Sequence, residues 1–217
     1  MDFAGLLRAI DWKFLEDSLT RLLAVLLCLT VHETSHGLAA CALGDPTARD
    51  RQRLSLNPFR HIDWLGLAMM LVVGFGWAKP VPVDPRYFKK PKQGMALTAL
   101  AGPVSNFLLA LAAVFLSREI YLRFPYRQGG ELMFEFLLYT LAPLSIGLGI
   151  FNLLPIPPLD GSKVLGAFLP DRVYFGLMRY ERYGMFLLLA LSWFGVTGGL
   201  IRGAIWEVYR FFFELFF

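Results

Sequence analysis

His32-Glu33-Thr34-Ser35-His36 brings two imidazoles and a carboxylate into five residues. On a helix His36 follows His32 by one turn, so the rings stack about 40° apart on one face, with Glu33 about 60° from His36 on its other side. Two nitrogens and a carboxylate then face one point. A hydrolytic zinc site takes such neutral imidazoles, keeps one coordination position open for water, and works beside a carboxylate that need not be a ligand. The chain has three histidines, and two of them are here. The bland alternative is a pair of satisfied core histidines. Against it stands the apolar segment that carries them, where each ionisable group costs about 2.5 to 3.5 kcal/mol on insertion scales and marks function.

A catalytic zinc normally has a third protein ligand. The long form of the motif fails, because the position six residues after His36 is Ala42 and the glycine it requires is Ala39. No Glu occurs between Glu33 and Glu119. His61, Asp45, Asp50, Asp63, Asp84 and Asp160 remain as candidates. Asp160 stands out because it follows Asn152-Leu153-Leu154-Pro155-Ile156-Pro157-Pro158-Leu159, where three prolines stop a helix while the surroundings are still apolar. Non-helical backbone in such a setting survives when it is packed in protein or lines a wet cavity. An ordinary Asp-Gly turn is the competing reading.

These residues must be positioned by membrane elements. Of 217 residues 56% are hydrophobic and 18% charged, and the mean hydropathy is +0.53, too apolar for an ordinary soluble domain. Four segments suit spans of roughly 20 residues: Leu19 to Leu43, Met95 to Leu116, Leu132 to Leu154 and Met185 to Ile201. Trp64 to Trp77 is too short and contains Gly66, Gly74 and Gly76, which fits a re-entrant or interfacial segment. The expected fold is an all-α integral membrane bundle with about four full spans, a re-entrant segment and a small extended or β loop region. No repeat or long polar linker divides residues 1–217, so they form one membrane-embedded domain.

Within it, residues 1–17 carry Phe3, Leu6, Leu7, Ile10 and Phe14 at helical spacing and suit a helix lying at the interface. Residues 44–93 form the largest polar insertion, and the alternate prolines of Lys79-Pro80-Val81-Pro82-Val83 favour an extended edge. Residues 202–217 end in an aromatic tail suited to interfacial anchoring or packing. The net charge of +4 lies between apolar segments and makes no basic helical face, which argues against nucleic acid. With four spans, thirteen of the 21 Lys and Arg fall on the side of the 44–93 and 155–184 loops, placing that side in the cytoplasm. Cys28 and Cys41 lie on nearly opposite faces of one helix and cannot pair there.

Together these motifs resemble the site-2 protease family of intramembrane zinc metalloproteases, in its small form without PDZ or CBS domains. The resemblance rests on the His-Glu-x-x-His helix, Ala101-Gly102-Pro103-Val104-Ser105-Asn106, the Asn152 to Gly161 segment, Asn57-Pro58 with His61-Ile62-Asp63, and Ala78-Lys79-Pro80-Val81-Pro82. Their order covers about residues 20–165. It implies that His32, His36 and Asp160 hold one zinc per chain, that Glu33 is the catalytic acid and base, and that Asn106 binds the substrate backbone or the oxyanion. Read from the residues alone, Asn106 is a buried amide suited to interhelical hydrogen bonding. Many members have Gly before the second His, where this chain has Ser35. The activity implied is hydrolysis of peptide bonds in or next to membrane segments, with a locally unwound transmembrane helix of another protein as substrate and the lipid bilayer as solvent. His32 to His36 lies near the end of its span that leads into the 44–93 loop, so access is expected from the cytoplasmic side of a multi-pass protein of the cell membrane. Substrate choice then resides in the membrane core, in the 44–93 loop, or in a regulatory membrane partner. The rival reading is a non-proteolytic membrane protein that retains a structural zinc.

Overall fold

The computed structural model describes residues 11–73, 78–124, 128–179, 183, 184, 186, 188, 190 and 196–217. Helix α1, Trp12–Ala42, starts where the Asp11 carboxylate accepts the Phe14 N–H at 3.0 Å, the capping bond that short acidic side chains make to an unpaired first-turn amide. It stops at Gly44, whose φ of +105° suits a residue without a Cβ. The Asp45 amide returns to the Ala40 carbonyl and the Gly44 amide to that of Cys41, closing the helix end. The interfacial helix expected over residues 1–17 lies outside the described residues up to position 10, and from Trp12 onward it is the first turns of α1 rather than a separate element.

After the short α2, Thr47–Asp50, the chain reaches α3, Trp64–Val73. Asp63 caps α3 by accepting the Gly66 N–H at 2.9 Å. The following extended stretch is tied back by the Lys79 amide to the His61 carbonyl and by an isolated antiparallel bridge, Ile62 to Ala78. No strand occurs among the described residues, so β pairing in this region is limited to this bridge; Pro80 and Pro82 lack the amides that a ladder would need. Asp45, fully buried, holds the two ends of the insertion together: one oxygen accepts from the Thr47 amide and hydroxyl, the other from the Asp84 amide at 2.7 Å.

Helix α4, Pro91–Arg123, begins with proline, which has no amide to leave unpaired. Next come α5, Gln128–Glu135, a π-turn at Phe136–Leu141, and α6, Ala142–Asn152. Pro143 offers no amide to the carbonyl four residues back, and the wider turn just before it re-registers the ladder. Short helices α7, Asp160–Gly166, and α8, Asp171–Arg179, lead to α9, Val196–Phe216. Among the described helices, Pro91–Arg123 and Gly129–Asn152 are long and apolar enough to cross a membrane. The first contains the expected span 95–116, and the second covers the expected span 132–154 up to Asn152. The expected span 19–43 falls on α1, and 185, 187, 189 and 191–195 of the expected span 185–201 lie outside the described residues.

Helices α1, α4 and α6 meet through small side chains. Ala24 and Cys28 of α1, Ala110 and Ala113 of α4, and Ala142 of α6 are buried together with Val114, Leu138 and Ile146. Small residues let helix backbones approach closely, and in lipid this packing replaces a hydrophobic drive. Ile205, Val208, Phe212 and Phe216 of α9 pack on the outside of that core. The aromatic tail is therefore part of a packed helix on one face.

Candidate metal centre and active site

One turn of α1 places His32 and His36 with their ring centroids 4.5 Å apart and perpendicular. Their Nε2 atoms are 3.0 Å apart. Asp160, the first residue of α7, brings Oδ2 to 3.1 Å from each Nε2. Its arrival depends on the broken end of α6. Successive turns from Leu153 to Leu159 reverse the chain, and a Cβ at Gly161 would collide with the Leu153 carbonyl, so only glycine lets α7 start this close to α6.

The His36 Nδ1 lies 2.7 Å from the Thr98 carbonyl. A carbonyl only accepts, so Nδ1 carries the proton and Nε2 presents a bare lone pair. That lone pair and a carboxylate oxygen share one small space with the His32 Nε2, and acceptors so close repel unless a cation lies between them. The three ligand atoms all lie within 4.8 Å of one another. Among the described residues this is the one group of His, Cys, Asp or Glu side chains with the spacing of a metal site. Two neutral imidazoles and a carboxylate suit zinc and leave a fourth position open. Gly102 of α4 completes the cradle: a Cβ there would lie 2.5 Å from His36 Cε1 and Nε2 and 2.6 Å from His32 Cε1.

Glu33, 9% exposed, faces the same cavity. One carboxylate oxygen accepts the Val81 N–H at 2.9 Å, which draws the extended Pro80-Val81 segment over the site. Arg53 holds that segment from behind through the Lys79 and Pro80 carbonyls, at 2.8 and 3.2 Å. The cavity measures about 470 Å³ and is walled mainly by apolar side chains, with Thr98, Asn152 and Lys163 as its other polar members. The Lys163 ammonium stands 3.7 Å from Asp160 Oδ1.

Other candidate ligands are placed elsewhere. His61 Nε2 donates to the Ser55 carbonyl, Asp45 ties the insertion, Asp63 caps α3, Asp84 binds Arg86, and Asp50 is exposed beside Arg49. The Arg86 guanidinium holds the Asp84 carboxyl down at about 2, an ordinary surface pair. Asn106 is fully buried on α4; neither amide atom has a partner, and its main-chain oxygen accepts the Ser145 hydroxyl at 2.8 Å. It is not among the residues that line the cavity. Ser35 bonds within its own helix, to the Val31 carbonyl at 2.7 Å, so replacing the family's glycine disturbs nothing facing the site.

Sequence reasoning placed Val81 in the extended edge without seeing its amide as the partner of Glu33, and it did not find Thr98 or Lys163. Val81 and Thr98 act through backbone atoms, which leave no trace in residue type. Lys163 follows Asp160 by three residues, a spacing that signals contact once a helix is known to begin at Asp160.

Residues 119–192 match the profile of peptidase family M50, a stretch that includes Asp160 and excludes the two histidines. The Bacillus subtilis (strain 168) protein named "Putative zinc metalloprotease YwhC" is 38% identical over 175 residues, which cover 78% of each chain. A Mycolicibacterium smegmatis protein of the same description, Rip2, is 27% identical over 192 residues, 86% of this chain and 70% of that one. A zinc metalloprotease of Methanocaldococcus jannaschii is 32% identical over 87 residues, 39% of this chain and 22% of that one. No solved structure matches.

Proposed function

This chain belongs to peptidase family M50, the site-2 family of zinc metalloproteases, and from that premise we propose that it cuts peptide bonds within or beside the membrane-spanning segments of other proteins. The observation that carries the reading is the convergence of His32, His36 and Asp160 beside Glu33 in an apolar-walled cavity. The cavity draws its walls from α1, from α4 and from the α6 end of Gly129–Asn152, the latter two being helices of membrane-crossing length.

His32, His36 and Asp160 would hold one zinc per chain, which would supply Lewis acidity toward a water and the scissile carbonyl. Glu33 takes the proton of the attacking water on its carboxylate and delivers it to the leaving nitrogen. The Val81 N–H fixes that carboxylate by a charge-assisted bond while it does so. Thr98 keeps the His36 tautomer, and Lys163 balances the charge on Asp160. Asn106 steadies the oxyanion or the substrate backbone once the substrate has opened a path to its amide.

A helix hides its scissile bonds, so the substrate is a membrane helix locally unwound by Gly, Pro or polar residues. Its freed backbone pairs with the extended Lys79 to Val83 edge. Water enters from the side of the 44–93 insertion, the cytoplasmic face of a cell membrane, and substrate supply is controlled by a membrane partner. Mass-spectrometric mapping of the cut in a single-span substrate tests this. Cleavage inside or within a few residues of the apolar segment, weakened when the flanking Gly-Pro is changed to Leu-Leu, is expected; cuts confined to a soluble tail contradict it.

A further inference from the structure

A second cavity, also about 470 Å³, runs alongside the first between α1, α6 and α9. Leu29, Ala78, Leu148 and Phe151 line both. The α1 residues that line the second cavity include Val25 and Leu29, and those that line the first include Leu29, His32 and His36. These four positions follow the i, i+4, i+7, i+11 spacing of a single helical stripe. On α6 the run from Leu144 through Leu148 to Phe151 does the same. The two cavities are thus successive lengths of one groove. The 44–93 insertion borders both lengths, through Pro80 and Val81 at the metal-ligating end and through His61 to Asp63 at the other, which extends toward the N-terminal half of α1.

At the second cavity His61 Nε2 is engaged with Ser55 and Asp63 Oδ1 with Gly66, while His61 Nδ1 is a buried acceptor without a partner. The rest of the wall offers a ligand mainly aliphatic surface, from Val25, Leu144, Ile201 and Ile205. An occupant continuous with the substrate in the first cavity is therefore mainly apolar. Val25 precedes His32 by seven residues, about 10 Å along α1. That distance corresponds to about three residues of extended chain or seven of helix.

We propose that this apolar length is the subsite for the membrane-buried flank of the substrate, accepting a large aliphatic or aromatic side chain three to seven residues from the scissile bond. It rests on the proteolytic reading above and deepens it, because it puts sequence preference in the groove between α1, α6 and α9. The helix flank docked there also holds the substrate while the next residues unwind.

The test uses the full chain in detergent or nanodiscs, with wild type, Val25→Phe and Val25→Ala. Two substrates are compared: a single-span protein whose leucine-rich segment is interrupted by Gly-Pro, and a short soluble peptide covering only the residues around its cut. Filling the groove with Val25→Phe is expected to raise KM for the membrane substrate about tenfold with little change in kcat, and to leave kcat/KM for the peptide within twofold. Val25→Ala is expected to shift preference toward Phe or Trp at the docked position. Equal losses on both substrates would make Val25 a packing residue and overturn the subsite. An unchanged KM for the membrane substrate would also overturn it, and would assign the groove to a lipid acyl chain. Failure of wild type to cut either substrate would instead overturn the proteolytic reading beneath it.

Discussion

Gly102→Ala adds one methyl group to the back of the metal cradle, where there is no room for it. The new Cβ would lie 2.5 Å from two atoms of the His36 ring and 2.6 Å from His32, whereas ordinary contact begins near 3.4 Å, so the rings must retreat by roughly 0.9 Å. Neither can retreat freely: His36 is held by the Thr98 carbonyl and His32 is 4% exposed. Displacing a positioned group by about 1 Å costs on the order of a hundredfold in rate, about 2.7 kcal/mol. Gly102→Ala is therefore expected to lower kcat/KM about a hundredfold and to release zinc to a competing chelator at a concentration at least tenfold lower than wild type requires. Gly129→Ala is the control, since a Cβ there meets nothing within 4 Å. Both are read by zinc stoichiometry during chelator titration and by cleavage of a fluorogenic substrate. If Gly102→Ala holds zinc and cuts within twofold of Gly129→Ala, the cradle geometry is wrong.

Asp160→Asn removes the only anionic member of the ligand set, and metal analysis of the purified protein should show zinc reduced to a small fraction of one per chain. Lys163→Met should weaken zinc retention about tenfold, as lost support of a ligating carboxylate does, with Lys163→Arg restoring it; equal chelator curves for all three proteins would remove Lys163 from the site. Val81→Pro deletes the amide that binds Glu33 while keeping an extended backbone, so kcat should fall about tenfold with zinc content unchanged. Asp45→Ala leaves several buried donors without an acceptor and should lower stability by about 3 kcal/mol, seen as an earlier thermal transition in detergent together with loss of the ordered 78–84 segment.

The chemistry of the site was legible where side chains carry it. Histidine and carboxylate inside an apolar helix are costly enough to announce themselves, and the prolines from 155 to 158 marked the turn that delivers Asp160. The apolar segments 95–116 and 132–154 likewise read as α4 and as the rod that ends at Asn152, because length and hydropathy are properties of the local chain. What failed to show was whatever depends on contact. Asp45 and Asp63 read as free ligand candidates, yet each is consumed by backbone amides, a use that spacing alone does not separate from metal binding. The alternating prolines at 80 and 82 read as an extended strand or edge and form an extended strap without a β ladder, anchored by Arg53 from one side and Glu33 from the other. Gly102 stood in the sequence only as one member of the Ala101 to Asn106 motif; that its missing Cβ makes room for two imidazoles is visible only once α1 and α4 are side by side. Residue 106 shows the limit from the other direction, an amide singled out by resemblance that the fold buries with both its polar atoms unpartnered.

The central claim, that a zinc held by His32, His36 and Asp160 works with Glu33 to hydrolyse peptide bonds in membrane segments, is tested most directly by one comparison. Wild type and Glu33→Gln, purified and assayed for bound zinc, are each given a panel of single-span membrane substrates. The account predicts equal zinc, close to one per chain, in both proteins, with cleavage by wild type and none detectable by the variant. Cleavage by Glu33→Gln at the wild-type rate would contradict it, as would zinc in both proteins with no cleavage of any substrate by either.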